Sequence, residues 1–135
     1  MAHSNQDIVD KYFEHYAKKN MEGIREVMAE DATWYFMGEH PLAGVKKGIP
    51  AIVDFFDKVG KIMQESKVEV QKLIVSENEN HLIECIHSKT HRTDNHNLEH
   101  YACVLWTFEN GKIIEGRHFF SDQQAINKYF TALAK

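Results

Sequence analysis

Nine histidines give this chain most of its capacity for proton transfer near neutral pH, because an imidazole titrates at about 6.5. His118 is the one whose placement raises a question. It stands in "GKIIEGRHFFSD", positions 111–122, where apolar and polar side chains alternate as in a β-strand. It therefore faces water, packs as a core histidine against a hydroxyl or carbonyl, or serves as a proton shuttle. His100 is a second acid/base or ligand-donating group, although its place beside a turn predicts solvent exposure. His87 and His91 fall on one strand face, yet four residues along a strand span roughly 13 Å, too far for two ligands of one ion. Cys85 and Cys103 lie in apolar strand-like segments without CxxC or CxxH spacing, which reads as buried thiols rather than a zinc site or a required disulfide. The chain contains no GxGxxG, GKS/GKT or GxSxG, so nucleotide phosphate binding and serine hydrolase chemistry have no support.

The elements that must position these groups follow from periodicity and caps. Ser4 caps a first helix in which Ile8, Val9, Tyr12, Phe13 and Tyr16 share a face. A shorter helix from about Asn20 turns Ile24, Val27 and Met28 inward, and "DATWYFMG" then reads as one short strand. "EHPLAGVKKGI" is turn-rich. Pro50 opens a third helix whose stripe is Ile52, Phe55, Phe56, Val59 and Met63. Four strands follow, "KVEVQKLIVS", "HLIECIHSKTHR", "LEHYACVLWTF" and "KIIEGRHFFS", joined by "ENEN", "TDNHN" and "ENG" as an antiparallel meander. "DQQAINKYFTALAK" closes the chain as a helix capped by Asp122. Helices first and a sheet afterwards imply an α+β fold.

Turn lengths suggest a register. Pairing Phe108 with Lys112 around "ENG" sets 104 opposite 116 and 102 opposite 118; pairing Arg92 with Leu98 sets 88 opposite 102 and 86 opposite 104. One face then collects Glu84, Ile86, Ser88, Thr90, His100, Ala102, Val104, Trp106, Ile114, Gly116, His118 and Phe120. His118 is flanked by Ala102 and Gly116, small residues that leave space. The other face carries Tyr101, Cys103, Leu105, Ile113 and Phe119 among charges, too apolar to face water comfortably, which predicts a homodimer.

The chain's 135 residues, 43% hydrophobic and 27% charged, bound one domain. No apolar run approaches the ~18 residues of a membrane span, and the first residues lack a signal-peptide layout, so the expected compartment is the cytoplasm. The net charge of −4, from 16 basic and 20 acidic residues, argues against nucleic acid as a partner.

Three segments together, "KYFEHYAKKNMEGIREVMAEDATWYF", "HPLAGVKKGIPAIVDFF" and "FENGKIIEGRHFFSDQQAINKYF", resemble the NTF2-like superfamily over essentially the whole chain, and most of all its SnoaL-like and ketosteroid isomerase-related branch. The resemblance implies a single domain over 1–135. Its fold would be a cone, with a curved, mainly antiparallel sheet wrapped by N-terminal helices, a pocket inside and a C-terminal helix. The isomerases of this superfamily use a tyrosine and a protonated aspartic acid as oxyanion donors, with an aspartate base. Carried over residue by residue, Tyr12 stands at the tyrosine, Phe36 at the base and Val104 at the oxyanion acid. Two of the three groups cannot move protons. SnoaL-type cyclases place an acid/base aspartate on the last strand, and His118 stands at that position.

The resemblance thus implies a small-molecule pocket protein with cofactor-independent acid/base chemistry of isomerase, cyclase or lyase/hydrolase type on an apolar ring-type ligand. His118 and Tyr12 would be catalytic, and Trp34, Phe36, Ser88, His100, Ala102, Val104, Trp106 and Phe120 would line the pocket. True ketosteroid isomerase activity is not expected. Tyr12 also fits simple core packing on its helix stripe, as the aromatic residues do. The alternative function is a non-catalytic ligand-binding or dimerisation module. The partners implied are a small apolar molecule and a second copy of the chain, with no cofactor, metal, nucleic acid or membrane.

Overall fold

A computed structural model describes residues 4–134. The chain runs α1 (Asn5–Ala17), α2 (Met21–Val27), β1 (Met28–Phe36), β2 (Gly44–Lys47), α3 (Ile49–Glu65), β3 (Glu69–Glu77), β4 (His81–Lys89), β5 (Glu99–Glu109), β6 (Lys112–Phe120) and α4 (Gln123–Leu133). Six strands form one curved, unclosed sheet in the order β2-β1-β6-β5-β4-β3. It is antiparallel except where β1 lies parallel to β6. The fold is α+β. No helix among the described residues is long and apolar enough to cross a membrane.

Local chemistry sets the helix boundaries. Side chains of Ser4, Asn20 and Asp122 accept from the backbone N–H groups of Asp7, Gly23 and Ala125, satisfying donors that a helix N-terminus cannot pair internally. At α3, Gly48 takes φ +87° and Pro50 occupies the first turn, where a missing N–H costs nothing. The helices bury Ile8, Val9, Tyr12, Ile24, Ile52 and Ile126 against the concave side of the sheet.

Two features of the first half depart from the sequence reading. β1 is a full nine-residue strand starting at Met28, and the turn-rich segment contains β2, paired with β1 from Thr33↔Lys47 to Phe36↔Gly44. A four-residue edge strand is too short for its alternation to stand out beside glycines.

The registers differ as well. Asn110 and Gly111 both adopt left-handed backbone conformations (φ +53° and +77°), making a two-residue turn that closes Glu109 on Lys112. A shift between Thr107 and Phe108 then sets Val104 opposite His118 and Ala102 opposite Phe120. The irregularity also turns Ile113 into the core, fully buried opposite Phe108, in place of Ile114. Ile113 therefore drops out of the expected outer patch. Between β4 and β5 the pairing is Ser88↔His100 and Ile86↔Ala102, two residues from the expected one. The turn is longer because the Asn97 carboxamide accepts from Arg92 N (2.7 Å) and Thr90 Oγ1 (3.0 Å), stapling 90–97 into a closed loop. A two-residue slip keeps every side chain on its face, so the concave set on β4 and β5 survives.

Candidate functional site

The concave face of the sheet, α1, α3 and α4 enclose a cavity of about 450 Å³. The sheet contributes Phe36, Ile86, Ser88, His100, Ala102, Val104, His118 and Phe120, α3 adds Phe56, Val59 and Met63, and α4 adds Ile126 and Phe130. Leu98 and Val68 complete the wall, and Phe13 and Val70, 40% and 55% exposed, mark the side open to solvent. Among the described residues the lining contains no Asp or Glu.

His118 sits in an aromatic box. Its ring centroid lies 4.9 Å from Phe36, 5.4 Å from Trp34, 5.7 Å from Phe120 and 6.3 Å from Phe55. The ring is half-buried. Among the described residues the sealed Nε2 finds no hydrogen-bond partner. Burial, and to a smaller degree the neighbouring His100, push its pKa down to about 3. Charging this ring at pH 7 among these apolar walls costs roughly 5 kcal/mol, from four pH units at about 1.4 kcal/mol each. Burial therefore favours the neutral form of His118, and a bound anion would offset the cost of adding its second ring proton.

His100 lies 5.7 Å from Phe120 by ring centroids and is buried, not solvent-exposed as its place near a turn suggests, because β5 pairs it with buried Ser88. Its Nδ1 is also unpartnered, and burial followed by His87 lowers its pKa. Two imidazoles with unsatisfied nitrogens on one apolar wall are the cavity's main polar feature. A buried polar atom without a partner is costly, and a ligand bearing a donor or an acidic group relieves that cost.

The other expected site residues divide into two layers. Phe36, Ser88, His100, Ala102, Val104 and Phe120 line the cavity with His118. Tyr12, Trp34 and Trp106 lie behind that wall: Tyr12 packs 6.4 Å from Trp106, Trp106 lies 4.9 Å from Trp34, and Trp34 lies against His118. The space beside Gly116 is filled by the Trp34 ring, which occupies the position a Cβ would take. Among the described residues the Tyr12 hydroxyl and both indole N–H groups find no hydrogen-bond partner. Burial first, then Tyr16 and Asp57, raise the Tyr12 pKa, so the phenol stays protonated.

Residues the sequence reading did not assign to the site include Phe13, Met63, Val70, Leu98 and Phe130. Their helical and strand periodicities mark them only as apolar stripe, and periodicity does not tell core from cavity wall. His40 is a further unassigned histidine, 5.3 Å from Phe36 and 5.2 Å from Phe130 by ring centroids, outside the cavity lining. Among the described residues no group of three or more His, Cys, Asp or Glu side chains is placed to hold a metal ion.

Comparisons with known proteins agree with this architecture. Bal32a, from a soil-derived mobile gene cassette, superposes with a TM-score of 0.74 at 24% identity, covering 93% of this chain and 95% of its own. An NTF2-like protein of unknown function from Burkholderia pseudomallei K96243 superposes at 0.71 and 18% identity, with 94% and 97% covered. A Jannaschia sp. CCS1 protein, described as a provisional SnoaL-like polyketide cyclase, superposes at 0.63 and 15% identity, with 98% of each chain covered. At these identities the likeness is one of fold. No curated protein matches the chain. The SnoaL-like domain profile matches residues 9–116, from the first helix to the last strand, and the chain therefore belongs to the SnoaL-like domain family within the NTF2-like superfamily.

Proposed function

We propose that the protein is a cofactor-independent acid/base enzyme of isomerase, cyclase or lyase/hydrolase type acting on a small, mostly apolar, ring-type molecule, with His118 moving the proton. One observation carries the reading: a neutral imidazole with an unsatisfied nitrogen lines an apolar cavity in which, among the described residues, no carboxylate stands. A half-turn of the ring about its terminal bond, the two-fold alternative of such a torsion, would bring Nε2 from its sealed side toward the cavity and requires the packed rings of Trp34, Phe36 and Phe120 to give way. An acidic C–H next to a ligand carbonyl passes its proton to His118, and the enolate left behind pairs with the imidazolium. In a low-dielectric site that pairing offsets the cost of charging the ring. His100 supplies a second hydrogen bond to the ligand oxygen. Tyr12, behind the two indoles, is a donor only to a ligand reaching past the present wall.

The partners we propose are that ligand and a second copy of the chain across the convex face, where Tyr101 (57% exposed), Phe119 (52%) and Ile74 (61%) lie. Nucleic acid and membrane are not among them, and the proposed compartment is the cytoplasm. A proton-exchange assay tests the chemistry, with 2-tetralone as the ring-ketone probe in deuterated buffer at neutral pH. The protein is expected to accelerate α-deuteration well beyond free imidazole, with His118→Phe losing the acceleration. Exchange equal in the parent and His118→Phe refutes His118 as the proton carrier. Binding of the probe without accelerated exchange supports the alternative, a non-catalytic ligand-binding or dimerisation module. Phe36 and Val104 cannot move protons, so no Δ5-to-Δ4 ketosteroid isomerisation is expected.

A further inference from the structure

Cys85 on β4 and Cys103 on β5 are directly paired residues, and their sulfurs lie 2.9 Å apart. Directly opposed residues in an antiparallel pair have Cα atoms about 4.5–5.5 Å apart. That range falls within the ~4.4–6.8 Å that a disulfide spans, so the two strands already hold the thiols where a bond can form. Both side chains are half-buried on the convex face, between Ile74 and Phe119, where the proposed second copy would cover them, so a small disulfide reaches them in the separate chain. Ile74 on β3 stands opposite Cys85 and Phe119 on β6 stands opposite Cys103, giving the pair an apolar row without a metal-ligand partner.

We propose that Cys85 and Cys103 form a reversible intramolecular dithiol–disulfide couple on the outer wall of the cavity, oxidised by thiol–disulfide exchange with a small disulfide of the oxidised-glutathione class. The Cys103 pKa is pushed up to about 11, first by its hydrogen bond with Cys85 and then by burial, which favours Cys85 as the first attacker. The Cys85 thiolate bonds to one sulfur of the reagent, breaking its S–S bond and releasing one small thiolate. Cys103 then gives up its proton and attacks the Cys85 sulfur, releasing the second small thiolate. The protein loses two protons and two electrons, and the reagent disulfide becomes two thiols.

The couple has a mechanical link to the cavity. Side chains alternate along a strand, so the neighbours of Cys103, Ala102 and Val104, and Ile86 beside Cys85 project from the inner face of the same strands, and all three line the cavity. Oxidation ties β4 to β5 at the middle of that wall.

The test uses the full chain equilibrated in buffers of increasing oxidised-to-reduced glutathione ratio, at several protein concentrations, then quenched in acid, alkylated and weighed intact. The expected product lacks both alkyl groups, carries no glutathione, yields a Cys85–Cys103 cross-linked peptide, and at every protein concentration is a bond within one chain, forming most completely at the lowest. Cys103→Ser is expected to stop with one glutathione on Cys85. The proposal is overturned if the parent keeps two alkylatable thiols in the most oxidising buffer at the lowest protein concentration. It is equally overturned if the parent stops at a glutathione adduct, or if the only protein disulfide joins two chains and grows with concentration.

Discussion

Replacing His118 by Phe should remove a defined part of the protein's acid sensitivity. In the unfolded chain the imidazole titrates near 6.5, whereas in the fold burial holds it at about 3. A folded value below the unfolded one means that the unfolded chain binds more protons between those limits. Stability is therefore fully present above pH 6.5 and lost as pH falls toward 3. From pH 7 to pH 5 the linkage integral for this one group is about 2 kcal/mol, and by pH 4 about 3 kcal/mol. Down to pH 5 the size depends almost wholly on the unfolded value, because folded His118 remains neutral there. Urea unfolding of the parent and of His118→Phe at pH 7, 6 and 5 measures it. With an m-value of about 1–2 kcal/mol/M, the parent's midpoint should fall about 1–2 M further than the variant's. His100, also lowered by burial, contributes in both proteins and cancels in the comparison. Equal declines in the two proteins would show that His118 is charged or water-exposed in the fold, and the argument for a neutral cavity imidazole would fail.

Gly116→Ala should cost about 1–3 kcal/mol, measured by urea unfolding, because its Cβ would land on the six-membered ring of Trp34. Trp34 cannot retreat, being 1% exposed and packed 5.0 Å from Phe56 and 4.9 Å from Trp106 by ring centroids. In the same assay Gly60→Ala, in α3 with open space around it, should stabilise by about 0.5–1 kcal/mol. Tyr12→Phe removes a buried hydroxyl that has no partner and should be neutral or stabilising by up to about 1 kcal/mol, while leaving ring-ketone exchange unchanged. A loss above that size would mean the hydroxyl is bonded. Light scattering at micromolar concentration should give twice the mass of one chain, and Phe119→Glu, which puts a charge into the proposed interface, should halve it.

Local chemistry by itself determined most of the elements. The caps at Ser4, Asn20 and Asp122, proline at the start of α3 and the alternation of β4 to β6 depend on neighbours a few residues away, and each is readable along the chain. Side-chain parity was legible for the same reason: a strand alternates whatever its partner, so the concave placement of His100, Val104 and His118 survived a two-residue error in register. Tertiary structure decided what stands beside what. The parallel pairing of β1 with β6, which brings Trp34 onto Gly116, has no signature in either segment alone. The exchange of Ile114 for Ile113 follows from an irregularity that depends on both strands of a hairpin. Whether an aromatic residue lines a cavity or fills a core depends on volumes contributed by four or more elements at once. That is why Phe36 and Phe120 reached the cavity while Trp34, Trp106 and Tyr12, with the same apolar periodicity, were packed behind it.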